Sequence, residues 1–205
     1  MPHGYVSRVD FFVYSRDAGG TTLRRDKELL EEHWSYMDAF AESMIARGPT
    51  LAADRETATG SLHVLGLPSV DAAREFVARE PNNRAGVYAD HFIWRFENLL
   101  GRTMWEFSGA ADEPRFLVIA RLDRDQSAGR GSRPVPEGSL PPELRERLIV
   151  YGALSTLDDG EPAGVALAAQ VPDRDVVVAL LEDERTGIDV FQDVDIHDWE
   201  FGGRR

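Results

Sequence analysis

The tripeptide Trp-Glu-Phe, followed one residue later by glycine, occurs twice, in "TMWEFSG" at 103–109 and in "HDWEFGG" at 197–203. Each copy closes a run of related landmarks. "FFVYSRD", "ARGPTL" and "AREPNNRAGVYAD" precede the first, and "FLVIARLD", "VYGALS" and "LEDERTGIDVFQD" precede the second in the same order. Ordered self-similarity of this kind marks a structural unit used twice. The 205 residues therefore divide into halves at 1–109 and 114–205, each of about 100 residues, a common size for a domain.

Within each half the hydrophobic periodicity gives one element order. Residues 8–16 are aromatic and β-branched and predict a strand. Leu29, Leu30, Trp34, Met37, Phe40, Ala41, Met44 and Ile45 keep helical spacing and predict one long helix over 26–47, stopped by Gly48-Pro49. Short strands follow at 49–54 and 60–68. Ser69 can cap a helix through Glu80, ended by Pro81. Strands at 86–96 and at "TMWEF" complete the half. After "SGAADEP" come a strand at 115–123, a Gly, Ser, Arg and Pro-rich loop at 126–139, a helix at 142–150, strands at 152–157 and 164–171, a helix at 173–184 and a last strand at 189–201.

This is β-α-β-β-α-β twice. Such a unit makes one antiparallel sheet with both helices on one face, and its other face needs cover. Two units in one chain can cover each other. The expected fold is α+β: two tandem ferredoxin-like halves packed as an internal pseudo-dimeric α/β barrel. Whether whole chains pair further, as a homodimer, is left open.

Composition narrows the function classes. A formal charge of -13 repels phosphate backbones and anionic lipid, so neither nucleic acid nor a membrane is an expected partner. No 18-residue apolar run and no basic-then-apolar start are present, and a cytoplasmic location is expected. Cysteine is absent, which removes thiolate nucleophiles and sulfur-based zinc sites. The single lysine, Lys27, makes Schiff-base chemistry a poor fit. No phosphate-binding glycine loop, nucleophile elbow or His-Glu-x-x-His occurs. A small-molecule substrate or ligand, handled without a cofactor, is the expectation.

The stretch from "EEHWSYMDAF" through "RAGVYADHFIWRF" resembles the YciI-like (YCII-related) proteins across nearly all of the first half. The landmarks are His33 early in the first helix, Gly48-Pro49, Gly60-Ser61 at the start of a strand, Glu80-Pro81, and Ala85-Gly86. The family has aspartate where this chain has Glu80. The second half has no histidine in its first helix, Gly152-Ala153 in place of Gly48-Pro49, and Glu184-Arg185 in place of Glu80-Pro81. The resemblance implies a dimeric α/β-barrel fold and points to the chemistry of its few characterised members, which include a dehydrochlorinase. A lyase or isomerase is one reading. A non-catalytic barrel that binds a small molecule or a partner is the other.

His33 lies one turn after Leu29 and one turn before Met37, at the edge of the helix face that meets a sheet. A partly dry imidazole with a reference pKa near ~6.5 can accept a proton at neutral pH, and a carboxylate on its other nitrogen would fix the tautomer. Glu80 is the candidate carboxylate. Ser61, Arg84 and Arg8 are the candidate substrate contacts, with Arg95 as a further arginine able to hold a carboxylate through its planar fork. A metal site is not expected: His91 and His197 sit beside Asp90 and Asp198, but adjacent strand residues point to opposite faces and do not chelate one ion. His63 and the two Trp-Glu-Phe segments are read as packing. Arg124, just before the 126–139 loop, and Arg130 and Arg133 within it are read as a solvated basic patch.

Overall fold

In the computed structural model the first strand candidate forms β1 (Val9–Asp17), and seven more strands follow: β2 (Met44–Leu51), β3 (Ala58–Leu67), β4 (Tyr88–Asn98), β5 (Arg115–Arg121), β6 (Leu148–Ser155), β7 (Pro162–Gln170) and β8 (Asp193–Trp199). The structure describes residues 8–110, 112–122, 142–183, 191 and 193–203. The strands close into one antiparallel barrel in the order β1-β3-β2-β8-β5-β7-β6-β4. Within that ring the first four run 4-1-3-2 and the last four run 8-5-7-6, the same order in both halves. The halves meet at two seams, β2 with β8 and β4 with β6.

Alternation along the strands sorts side chains into an inner and an outer layer. The barrel interior is filled by residues of both halves, among them Phe12, Leu62, Phe96, Leu117, Ile149 and Trp199. Outside, α1 (Lys27–Asp38) and α2 (Val70–Arg79) cover Phe11, Val13, Leu65 and Leu67 of the first half. The short α3 (Pro81–Arg84) follows α2 directly. On the second half α4 (Pro142–Arg145) and α5 (Arg174–Glu182) flank a cluster that includes Val118, Tyr151, Leu167 and Val177. Asp26, Ser69 and Asp173 cap α1, α2 and α5 by accepting backbone N–H bonds. Among the described residues no helix is long and apolar enough to cross a membrane.

Two helix expectations are corrected. The helix expected over 26–47 ends at Asp38, a 3-10 turn follows at Ala41–Ser43, and residues from Met44 alternate buried and half-buried as β2. Met44–Leu51 has a partner strand along its whole length in β3, and pairing outweighs a helical spacing that carries only a weak local preference. Gly48-Pro49 therefore stands within a strand rather than after a helix. The helix expected over 142–150 shrinks in the same way to α4, because Leu148–Val150 pair with β7. The basic patch at Arg124, Arg130 and Arg133, the rest of the 126–139 loop, and Glu184-Arg185 lie outside the described residues.

The tryptophan twins are also corrected. "TMWEF" is no strand: Met104–Glu106 make a 3-10 turn, with the Glu106 carboxylate accepting from the backbone N–H (2.7 Å) and hydroxyl (3.0 Å) of Thr103. Trp105 is 55% exposed, whereas Trp199 is fully buried. Strand register gives the true counterpart. Phe11 lies opposite Arg95, and Phe116 lies opposite Asp198, so Trp199-Glu200 stands where Phe96-Glu97 stands.

Glycine contacts show the same correspondence. A Cβ on Gly48 would overlap the Glu200 carbonyl oxygen, and one on Gly152 would overlap the Glu97 carbonyl oxygen. Gly60 and Gly164 meet the carbonyls of Ser15 and Ala120 in the same manner. Only glycine lets the backbones approach so closely. Gly48→Ala or Gly152→Ala should each destabilise the protein by about 2–3 kcal/mol and lower Tm by roughly 5–10 °C. Gly19→Ala, which meets open space, should change Tm by less than ~2 °C in the same melt.

Candidate active site

Asp26 starts α1 at a register that turns Met37 into the core and leaves His33 half-buried above β3. Glu80 links α2 to α3: its backbone ends the first helix, and its side chain caps the second, with Oε2 accepting the Asn83 N–H at 2.7 Å. Pro81 does not merely stop α2. It occupies the first turn of α3, where a missing N–H costs nothing. The turn brings Glu80 back over α1, and His33 Nδ1 meets its Oε1 at 2.5 Å.

Glu80 is only 3% exposed, so its charge is held by those bonds rather than by water. Asn83 is itself fixed. Its Nδ2 donates to the Val77 carbonyl (2.9 Å), and its Oδ1 accepts from His91 Nε2 (2.6 Å), whose Nδ1 bonds the Ser15 hydroxyl (3.0 Å). A carboxylate on Nδ1 places the neutral ring's proton there and leaves the Nε2 lone pair. The His33 ring lines a cavity of about 380 Å³ between α1, the loop before it, β2, β3 and residues 201–203.

His63 forms part of the cavity floor, with its ring 5.9 Å from that of His33 and 5.7 Å from that of Phe76. Burial, reinforced by the neighbouring His33, Arg24 and Arg47, holds it well below its ordinary pKa of 6.5, so it stays neutral. Ser61 also lines the cavity. Its hydroxyl receives Arg24 Nη2 (3.0 Å) and the Tyr88 hydroxyl (3.2 Å). Arg24 grips Asp17 with two nitrogens, one at 2.6 Å, and lies over the Tyr88 ring. Burial and the charge of Glu80 push the Tyr88 phenol up to about 12.

The structure thus brings His33 and Ser61 to one cavity and sets Glu80 behind His33, outside the lining. It does not gather the predicted arginines there. Arg84 and Arg8 are exposed and away from the lining, and Arg95 donates from Nε to the Leu157 carbonyl across the seam (2.9 Å). The arginines that do line the cavity are Arg24, Arg25 and Arg47. Sequence reasoning passed over them; the adjacent pair before the first helix and the arginine before Gly48-Pro49 were the available signals. His91 lies opposite Ser15 and His197 opposite Leu117, and neither lines the cavity. Among the described residues no three His, Asp or Glu side chains group closely enough to hold a metal ion.

Residues 10–97 match the YCII-related domain family. No curated protein matches the chain. Among solved structures, 5-chloro-2-hydroxyhydroquinone dehydrochlorinase from Burkholderia phenoliruptrix AC1100, in complex with 2,5-dihydroxybenzoquinone, is 26% identical; the alignment covers 45% of this chain and 98% of that one, with a TM-score of 0.41. A novel heme-binding protein from Thermus thermophilus is 12% identical over 94% of this chain and 92% of its own, with a TM-score of 0.51. An anthrone oxidase-like protein, also 12% identical, aligns over 95% and 91% with a TM-score of 0.51. The latter two share the fold along nearly the whole chain.

The depressed His63 has a consequence for stability. The unfolded chain binds a proton at this residue near 6.5 and the folded chain only below that, so the stability present above 6.5 is lost as pH falls toward the folded value. The slope is at most ~1.4 kcal/mol per pH unit. His63→Leu, which installs the residue found at the register counterpart Leu167, should flatten the fall in Tm between pH 6.5 and 5. The shallower slope left would come from His91 and His197, which burial also depresses.

Proposed function

We propose that this chain, whose residues 10–97 are a YCII-related domain, is a small-molecule lyase or isomerase in which His33 removes a proton next to a carbonyl. The observation that carries the reading is the 2.5 Å contact of His33 Nδ1 with a buried carboxylate, on a ring that opens onto a cavity. Glu80 orients the ring and stabilises the imidazolium. As Nε2 takes the proton, the C–H electron pair passes into an enolate. The enolate either takes a proton at another carbon, which is isomerisation, or expels halide, or hydroxide that takes the proton held on His33 and leaves as water, which is elimination.

The two halves, 1–109 and 114–205, are proposed to be copies of one unit, of which the first keeps the site. At the register counterparts of Ser61 and His63 the second half has Val165 and Leu167, which cannot form a polar floor. Its contribution is the other side of the barrel and the 201–203 wall of the cavity.

Proton abstraction can be tested before the natural substrate is known. Wild-type protein in heavy water, incubated with a panel of small carbonyl compounds, should exchange the hydrogen next to the carbonyl of at least one, read by NMR. His33→Ala should slow that exchange by about 10²–10⁴-fold, and Glu80→Gln should slow it as well. Exchange that His33→Ala leaves untouched would refute the catalytic reading and leave a binding barrel.

A further inference from the structure

We infer that Arg47 anchors an anionic group of the substrate, so that the site selects carboxylates over neutral carbonyl compounds; this rests on the cavity beside His33 being the reaction site. Arg47 lies on β2 opposite His63, and both line that cavity. Its guanidinium is largely buried, and Nε has no hydrogen-bond partner. Nη1 reaches Asp38 at 3.5 Å only, a carboxylate 44% exposed at the end of α1. Arg24 differs: two of its nitrogens hold Asp17, and one of them also donates to Ser61. Arg25 also lines the cavity but is exposed, so its donors reach solvent.

A guanidinium carries five donors in a fixed fork, and a buried donor without an acceptor is costly. A planar oxyanion supplies two acceptors and the opposite charge together, which a neutral ketone or amide does not. The surroundings leave room for it. Gly203 presents no side chain where a Cβ would lie 2.8 Å from Arg47 Nη2. Leu30, Trp34 and Phe201 form an apolar part of the wall, beside the polar Thr21, Thr57 and Asn82. The combination fits a small organic acid with an apolar body, at the low end of the ligand-site size range.

Trp34 supplies a fluorescence readout for titration of the full chain with benzoate and with benzamide, which differ little except in charge. Benzoate should bind at least about tenfold more tightly, and Arg47→Met should weaken it by about 10–100-fold while leaving benzamide unchanged. Should Arg47→Met not fold, Arg47→Lys carries the test, since it keeps the charge, loses the fork and should bind benzoate about tenfold more weakly. Arg84→Met, at an exposed arginine away from the lining, should stay within about threefold of wild type for benzoate. The anchor is overturned by absent benzoate binding, by equal affinity for the two probes, by variants at Arg47 that bind benzoate as wild type does, or by an equal loss in Arg84→Met. Benzoate binding through Arg47 in a protein that exchanges no carbonyl compound would uphold the anchor and remove the catalytic role of His33.

Discussion

Closure of the sheet is the constraint from which the rest follows. Each half has an inner face of large apolar side chains and two edge strands with unpaired backbone groups, and neither feature is tolerable in water. Joining the halves removes both at once: Phe12, Phe96 and Leu62 meet Leu117, Ile149 and Trp199, while β2 and β4 find partners in β8 and β6. The seams require backbones to pass at a distance that no side chain permits, which is why Gly48 and Gly152 occupy equivalent places. The pseudo-twofold also extends to the surface, where Arg16 pairs with Asp90 and Arg121 with Asp193.

Closure also determines the site. With the inner face of β2 committed to the barrel, its alternate residue Arg47 turns outward toward α1. The same alternation in β3 sends Leu62 and Val64 inward and His63 outward beneath His33. The helices then only have to deliver His33 and Glu80 to that outer surface, and the cap at Glu80 does so with one turn of chain.

The strands were legible because short apolar runs, buried on both faces between the barrel interior and its outer cover, stand out directly in the residues, as in β1, β3 and β7. Helix lengths were not. Residues 39–47 keep helical spacing, and only the availability of β3 and the second half decides that Met44 onward is a strand. The paired Trp-Glu-Phe segments led to the right strand order from the wrong equivalence, since the register sets "HDWEF" against "WRFEN" while "TMWEF" turns away from the sheet. The contact of His33 with Glu80 rested on the family resemblance rather than on periodicity, because 47 residues separate the two. The cavity arginines were illegible for a plain reason. Which way an arginine in a turn or on the outer face of a strand is directed depends on what lies above it, and a single sequence does not contain that.

The segment after β8 has two attachments. Gly202 donates its N–H to the Arg47 carbonyl at 2.9 Å and Glu200 donates to that of Pro49 at 3.2 Å, while Phe201 and its glycine neighbours wall the cavity. Occupancy of the cavity and integrity of the seam are therefore linked functions in the thermodynamic sense: whatever fills the space between Phe201 and α1 also holds the two halves shut. A ligand bound there would act as a clasp for the whole ring of strands, and its binding free energy would be felt by the half that carries none of the polar groups around it.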